Sequence, residues 1–242
     1  MERLGPWRRL APALAAAVFL SACANAERDG TGLPAGFDAG LRGASTGSER
    51  VLYAFTGGND GGNAATGLVQ DRDGNLYGTT VVGGTATCGT AFELSPAAQS
   101  PWKESVLYDF GCYADGKNPH GGVTFDPGGN LDGTTVAGGT GGICASDGCG
   151  IAFQLKGTAE KVLHNFAAGK DGFGPGGGVV YDAAGNVFGT TPDGGRYNQG
   201  VVYELSRAGG RWRERIVHAF TGGKDGAVGS LGLLLVDASG NL

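Results

Sequence analysis

Carboxylates recur along this chain at nearly even spacing, and carboxylate oxygens are the ligands that Ca²⁺ prefers. Each carboxylate belongs to an Asp-Gly pair, and the four pairs begin at Asp60, Asp115, Asp171 and Asp225. A calcium cage needs about six to eight oxygens, whereas each of these loops offers one carboxylate. The pattern therefore favours an Asx turn, in which the Asp side chain bonds the nearby backbone, over a metal site.

A second series of Asp residues stands four positions before Asn in the repeated stretch Asp-x-x-Gly-Asn. Its members are Asp71, Asp126, Asp182 and Asp237. Gly and Asn tolerate positive φ, and Asp can bond the backbone ahead, so this stretch predicts a hairpin turn.

Histidine offers little chemistry here. His164 and His218 take the position that Tyr53 and Tyr108 hold in other copies, and His120 stands alone. Exchange with Tyr indicates a packing role and not a metal ligand or a base. The sequence shows no Ser-His-Asp, Cys-His or two-His-one-carboxylate spacing, so we predict no catalytic, cofactor-binding or metal-binding residues. Separate repeats could still gather a site in space.

The amino terminus predicts export. Residues 1–23 combine a basic start with an apolar run, Leu10 to Leu20, that is too short to span a bilayer. The run ends in Leu-Ser-Ala-Cys23, which resembles the lipobox of bacterial lipoproteins and implies that Cys23 carries the lipid. The alternative is ordinary secretion after Ala24-Asn25-Ala26. No other segment is apolar enough to cross a membrane.

Composition bounds the remaining sequence. Residues 24–48 are rich in Gly with few large apolar side chains, which predicts a flexible linker. The formal net charge is −5, and the signal (three Arg, one Glu) contributes +2, so the mature chain carries −7. An acidic chain without Lys/Arg tracts does not suit nucleic acid. Fifty Gly among short Val, Tyr, Phe and Thr runs are typical of an all-β fold.

Residues 49–242 are tandem repeats of about 55 residues. The Asn of Gly-Asn falls at 75, 130, 186 and 241, and a second marker, Glu-x-Val-Leu-Tyr-x-Phe, recurs at the same period. Each copy predicts four strands, represented in the first unit by a at 67–71, b at 76–80, c at 90–94 and d at 106–110. Four antiparallel strands per repeat predict a β-propeller blade. The alternatives are sheets stacked without ring closure and a β-solenoid, whose coils are usually shorter.

The blade count predicts an incomplete array. Three blades are whole, at 67–110, 122–166 and 178–220, while strand d at 51–55 and strand a at 232–237 remain over. Four blades is already the low end for ring closure, so we expect a truncated chain with exposed strand edges.

Strand register predicts the disulfides of this exported chain. With Leu94 opposite Ser105 in an antiparallel pair, Cys88 falls near Cys112. In the next blade the corresponding position offers no sulfur, so Cys149 pairs with Cys144 in its own loop. A zinc site at Cys144-x₄-Cys149 is disfavoured because no second tight pair or nearby His accompanies it.

The motifs together resemble a known family. Val-Leu-Tyr-x-Phe, Asp-Gly, Asp-x-x-Gly-Asn-Leu-Tyr-Gly-Thr-Thr, Gly-Gly and Gly-Thr-x-Phe-Glu-Leu are similar to the GloVer (Gloeo/Verruco) tandem repeat of choice-of-anchor bacterial surface proteins, over residues 49–242. The resemblance implies an exported repeat protein and no known catalytic residues. The chain departs from the pattern at Asp132, where an aromatic is expected, and at Pro192.

These patterns predict an exported, lipid-anchored propeller protein with a binding or scaffolding role in the periplasm or at the outer membrane. Its partner would be a protein, glycan or small molecule that the sequence does not identify, and its only link to a membrane would be the lipid. Loops that differ between blades favour binding. The rival is a lactonase- or lyase-like propeller enzyme, which a cluster of carboxylates or His on the central axis would favour.

Overall fold

The computed structural model describes residues 49–98, 101–144, 147–227, 232, 234–237 and 239–242. The predicted export signal (1–23) and linker (24–48) lie outside these residues. Within them, no helix has the length and apolar character needed to cross a membrane.

The fold is all-β, as predicted, with three four-stranded antiparallel sheets in the described chain. The first sheet contains β1 (Val69–Gln70), β2 (Leu76–Thr80), β3 (Thr90–Ser95) and β4 (Lys103–Asp109). The second contains β5 (Val123–Phe125), β6 (Leu131–Thr135), β7 (Ile151–Lys156) and β8 (Ala159–Asn165). The third contains β9 (Val180–Tyr181), β10 (Val187–Thr191), β11 (Val201–Ala208) and β12 (Arg211–Ala219). In each sheet the strands lie in chain order, so every connection joins neighbours.

The hairpin between the first two strands of each sheet is closed by the predicted Asp. In the first sheet, one Asp71 carboxylate oxygen accepts the backbone N–H groups of Asp73 and Asn75, both at 2.9 Å. Gly74 supplies the positive φ of 89° that the turn requires. Asp126, Asp182 and Asp237 repeat these bonds.

The glycine inside the second strand of each sheet makes room for an aromatic ring. Gly78 pairs with Phe92 on β3, and a Cβ at Gly78 would lie 2.8 Å from the Phe92 ring. Gly133 has the same relation to Phe153. The ring therefore lies across the bare backbone, which explains a residue that otherwise weakens strands.

A β-bulge interrupts the pairing of the third and fourth strands in every sheet. In the first sheet Leu94 lies opposite Glu104, so the predicted partner Ser105 is wrong by one residue. The bulge between Ala91 and Phe92 inserts an extra residue, after which Ala91 pairs with Tyr108 in the predicted register. A constant register could not anticipate this irregularity.

Two disulfides fasten the loops at the ends of these strands, which confirms that the chain carries disulfides. One joins Cys88 to Cys112 with a Cα separation of 5.4 Å, and the other joins Cys144 to Cys149 with a separation of 5.1 Å.

Neighbouring sheets pack face to face through a repeated aromatic contact. Phe110 follows β4 and meets Phe153 on β7, with ring centroids 5.1 Å apart. Phe166 meets Tyr203 at 5.0 Å between the second and third sheets. Hydroxyl bonds support the same interfaces, because Thr79 donates to the Pro119 carbonyl at 3.0 Å. The three sheets therefore form a continuous row with one core cluster at each junction.

The two outlying segments predicted as strands do not form strands. Residues 51–55 lie outside the strands of the three sheets, and the Leu52 carbonyl accepts a hydrogen bond from the Trp102 N–H at 2.9 Å. The described residues of 232–237 are likewise outside any strand. A strand requires partners along its length, and the described residues of both segments lie outside the ladders of the three sheets.

Candidate functional site at the sheet interfaces

A three-residue polar cluster recurs at each junction between successive units. Each cluster contains a Tyr or His, the Asp of the Asp-Gly pair seven residues later, and a Glu from the fourth strand of the following sheet. We call these the first, second and third interface clusters: Tyr53, Asp60 and Glu104; Tyr108, Asp115 and Glu160; His164, Asp171 and Glu214.

The Asp of each cluster closes the loop that leaves the fourth strand. Asp115 accepts the Gly111 N–H at 2.6 Å and the Tyr108 hydroxyl at 3.1 Å. Asp171 accepts the Ala167 N–H at 2.5 Å and contacts His164 Nε2 at 3.2 Å. Each of these bonds runs to the backbone four residues before the Asp, so the Asp side chain of the Asp-Gly pair closes its loop by bonding nearby backbone that precedes it.

The Glu of each cluster brings a second carboxyl group into a partly buried position. The Oε1 atoms of Glu104, Glu160 and Glu214 are all buried and without a hydrogen-bond partner. Burial and the Asp115 charge raise the pKa of Glu160 to about 7. Burial and the neighbouring Asp171 carboxyl raise the pKa of Glu214 to about 9. Each cluster can therefore hold a proton, or another cation, between two carboxyl groups.

The third cluster differs because His164 replaces Tyr. One ligand atom from each of His164, Asp171 and Glu214 lies within 4.8 Å of the other two. His164 also packs its ring against Phe166 at 4.8 Å, which fits the predicted packing role. His218 forms the corresponding contact with Asp225 at 3.2 Å, on a more exposed surface.

Sequence reasoning missed these clusters because their members come from different sheets. Glu214 lies 43 positions after Asp171 and on the next sheet. A signal was present, since Glu104, Glu160 and Glu214 recur at the repeat period. A charged residue that recurs inside an otherwise apolar marker indicates a structural role in addition to marking the repeat period.

Asp132 forms a different polar contact between the second and third sheets. At the first junction Tyr77 meets Phe125 with ring centroids 5.3 Å apart. At the second junction Asp132 replaces the aromatic ring and accepts a hydrogen bond from the Tyr181 hydroxyl. Asp132 is 1 % exposed and its Oδ1 has no partner. Burial raises its pKa to about 6, although the Tyr181 bond acts in the opposite direction.

One edge of the row collects the loops that differ most between units. The loops after the second and fourth strands meet there through short bridges, such as Lys117 with Ala137 and Phe173 with Asp193. A cavity of about 490 Å³ opens at this edge between the second and third sheets. Ile143, Phe173 and Pro192 are among its lining residues, and the Cys144–Cys149 disulfide borders it. We call this surface the loop edge.

Of the predicted site residues, the four paired cysteines lie at the loop edge as disulfides, and Cys23 lies outside the described residues.

The model of the family described as the Gloeobacter/Verrucomicrobia repeat matches residues 43–242. No curated protein matches the chain.

Proposed function

The chain belongs to the Gloeobacter/Verrucomicrobia repeat family, and on that basis we propose that it is an exported, lipid-anchored β-propeller protein with a binding or scaffolding role at the cell envelope. The repeat units would supply a rigid frame, and the loop edge would supply recognition.

The packing of the three sheets supports blades around an axis. At the first junction the first strands β1 and β5 approach one another, and at the second junction the fourth strands β8 and β12 do so. Contact between equivalent strands is the relation expected of consecutive blades.

The observation that carries the binding role is the concentration of exposed apolar side chains at the loop edge. Tyr113 is 80 % exposed and Ile143 is 86 % exposed. Val82 and Tyr197 add smaller exposed surfaces in the corresponding loops of the first and third units. Exposed aromatic and aliphatic groups beside a cavity are typical of surfaces that bind partners.

The enzyme alternative has less support. It needs carboxylates or His gathered by the first strands, which would surround an axis. The cluster with metal-ligand spacing in the described chain instead involves the fourth strands β8 and β12.

A photo-crosslinking amino acid at position 113 or 143 should capture a partner in living cells. The same probe at Arg72, an exposed position in a hairpin at the opposite edge, is the control. We expect adducts from the loop edge and none from Arg72, resolved by mass spectrometry. Equal adducts from both edges, or none from the loop edge, would contradict a recognition role for it.

The proposed location follows from the amino-terminal pattern together with the disulfides. Disulfides persist in oxidising compartments outside the cytosol, so two of them in one chain are consistent with export. A lipid on Cys23 would hold the mature chain at a membrane by acyl insertion, with residues 24–48 as a tether.

Metabolic labelling with an alkyne palmitate analogue tests the anchor. The wild-type chain should carry the label and fractionate with membranes, and Cys23→Ser should lose both properties. Ala24→Ser, next to the modified position, is the matched control and should keep the label. Label that survives Cys23→Ser would rule the anchor out.

A further inference from the structure

The third interface cluster combines one imidazole nitrogen with two carboxylates from two sheets. His164 lies on β8, Asp171 lies in the loop that follows β8, and Glu214 lies on β12. Their side chains are 21 %, 18 % and 13 % exposed, so the cluster is largely buried but still reached by solvent.

The distances suit a small dication. His164 Nε2 lies 3.2 Å from Asp171 Oδ1 and 4.0 Å from Glu214 Oε1. Ligands of a tetrahedral zinc lie about 3.3 Å from one another, given metal–ligand bonds of about 2.0–2.2 Å. The His–Asp separation matches this value, whereas the Glu214 oxygen lies 4.0 Å from His164 Nε2 and would have to move closer on binding.

The carboxyl group of Glu214 has an oxygen that a cation could satisfy. Glu214 Oε1, the oxygen nearest to His164 Nε2, is buried and has no hydrogen-bond partner. The same is true of the Oε1 atoms of Glu104 and Glu160, so the His164 imidazole is what distinguishes this cluster. A buried carboxylate oxygen without a partner is costly, and a bound cation would satisfy it.

The other clusters show what the His changes. Tyr108 hydrogen-bonds Asp115 through its hydroxyl at 3.1 Å, in the same arrangement. Burial raises the pKa of Tyr108 further above neutral pH, so its phenol stays protonated and is a poor metal ligand. Neutral imidazole is the commonest protein ligand of transition metals.

We propose that His164, Asp171 and Glu214 form a zinc site that bridges the second and third sheets. Three protein ligands leave a fourth position for water or for a group from a partner. The imidazole favours Zn²⁺ over Mg²⁺ and Ca²⁺, which prefer oxygen alone. Because the ligands come from two sheets, the ion would strengthen the junction between them.

Isothermal titration of the chelator-treated full chain with ZnCl₂ tests the site. We expect one tight equivalent, with an affinity that excess Mg²⁺ or Ca²⁺ leaves unchanged. Co²⁺ in place of Zn²⁺ should give the visible absorption of a four-coordinate ion.

His164→Tyr is the decisive variant, because it recreates the arrangement at Tyr108 and should fold. His164→Tyr should lose the bound equivalent of Zn²⁺, and Glu214→Gln should weaken Zn²⁺ binding at least tenfold. His218→Tyr is the matched control, since His218 contacts Asp225 without a third ligand in the described chain, and it should bind as the wild type does. No Zn²⁺ binding by the wild type, or unchanged binding by a folded His164→Tyr, would overturn the proposal.

Discussion

Replacing Phe110 by Ala should lower the free energy of unfolding by about 3–5 kcal/mol, the usual cost of deleting a fully buried ring. Phe110 is 0 % exposed and meets Phe153 across the junction of the first and second sheets. The loss should fall on the coupling between units, because the ring contact joins two neighbouring units and repeat arrays depend on such interfaces. Urea unfolding followed by fluorescence and by far-UV circular dichroism measures both effects.

Phe220→Ala is the matched control for this change. Phe220 holds the same repeat position after β12, is only partly buried, and contacts the His218 ring at 4.8 Å. No ring from a further sheet meets it in the described chain. Its loss should cost about 1 kcal/mol or less, by the area removed from water. Equal costs for both variants would mean that the aromatic contact does not hold the sheets together.

The second large effect concerns pH and Asp132. Its pKa is raised from 3.8 to about 6 in the folded chain, so folding favours the protonated form. The wild type should therefore lose stability as pH rises from about 4 to about 7, by about 2 kcal/mol from this group, and then level off. Asp132→Asn cannot ionise and should lack this loss. Its stability relative to the wild type should rise by about the same amount between pH 4 and pH 7.5.

Chemical unfolding at several pH values measures the difference between the two proteins. Other groups titrate in the same range, but their contributions cancel in the comparison of wild type and variant. Asp73→Asn, at an exposed hairpin position, controls for the removal of one charge and should show no such rise. Parallel curves for wild type and Asp132→Asn would show that Asp132 is not the responsible group.

The sequence predicted the parts of the fold that depend on local chemistry. The hairpin at Asp71–Asn75 follows from the backbone bonds of one Asp and the positive φ of one Gly, all within five residues. The repeat period predicted the remaining strands of each four-stranded unit. The bulge between Ala91 and Phe92 was not predicted, because it depends on the twist of the sheet and not on any local residue preference.

The site was harder to predict, because its members meet only after sheets have packed. His164 was correctly seen as equivalent to Tyr108, and that equivalence argued for packing alone. Glu214 is brought to His164 from another sheet, and no spacing in the sequence measures that approach. A glycine inside a strand, such as Gly78, marks a bend or a close approach, but the Phe92 ring that crosses it is identified only from the strand pairing.

The junctions are directional, since each unit contributes the Phe after its fourth strand to one junction and the aromatic ring of its third strand to the other. Residues such as Phe110 and Phe153 are therefore complementary halves contributed by successive copies. Gene duplication or loss of one whole 55-residue copy leaves both halves matched at every surviving junction. An insertion of only part of a copy would leave one ring of an aromatic contact between sheets without its partner ring. The array can thus evolve in length by unequal recombination while each loop diverges on its own, which separates selection on the frame from selection on recognition.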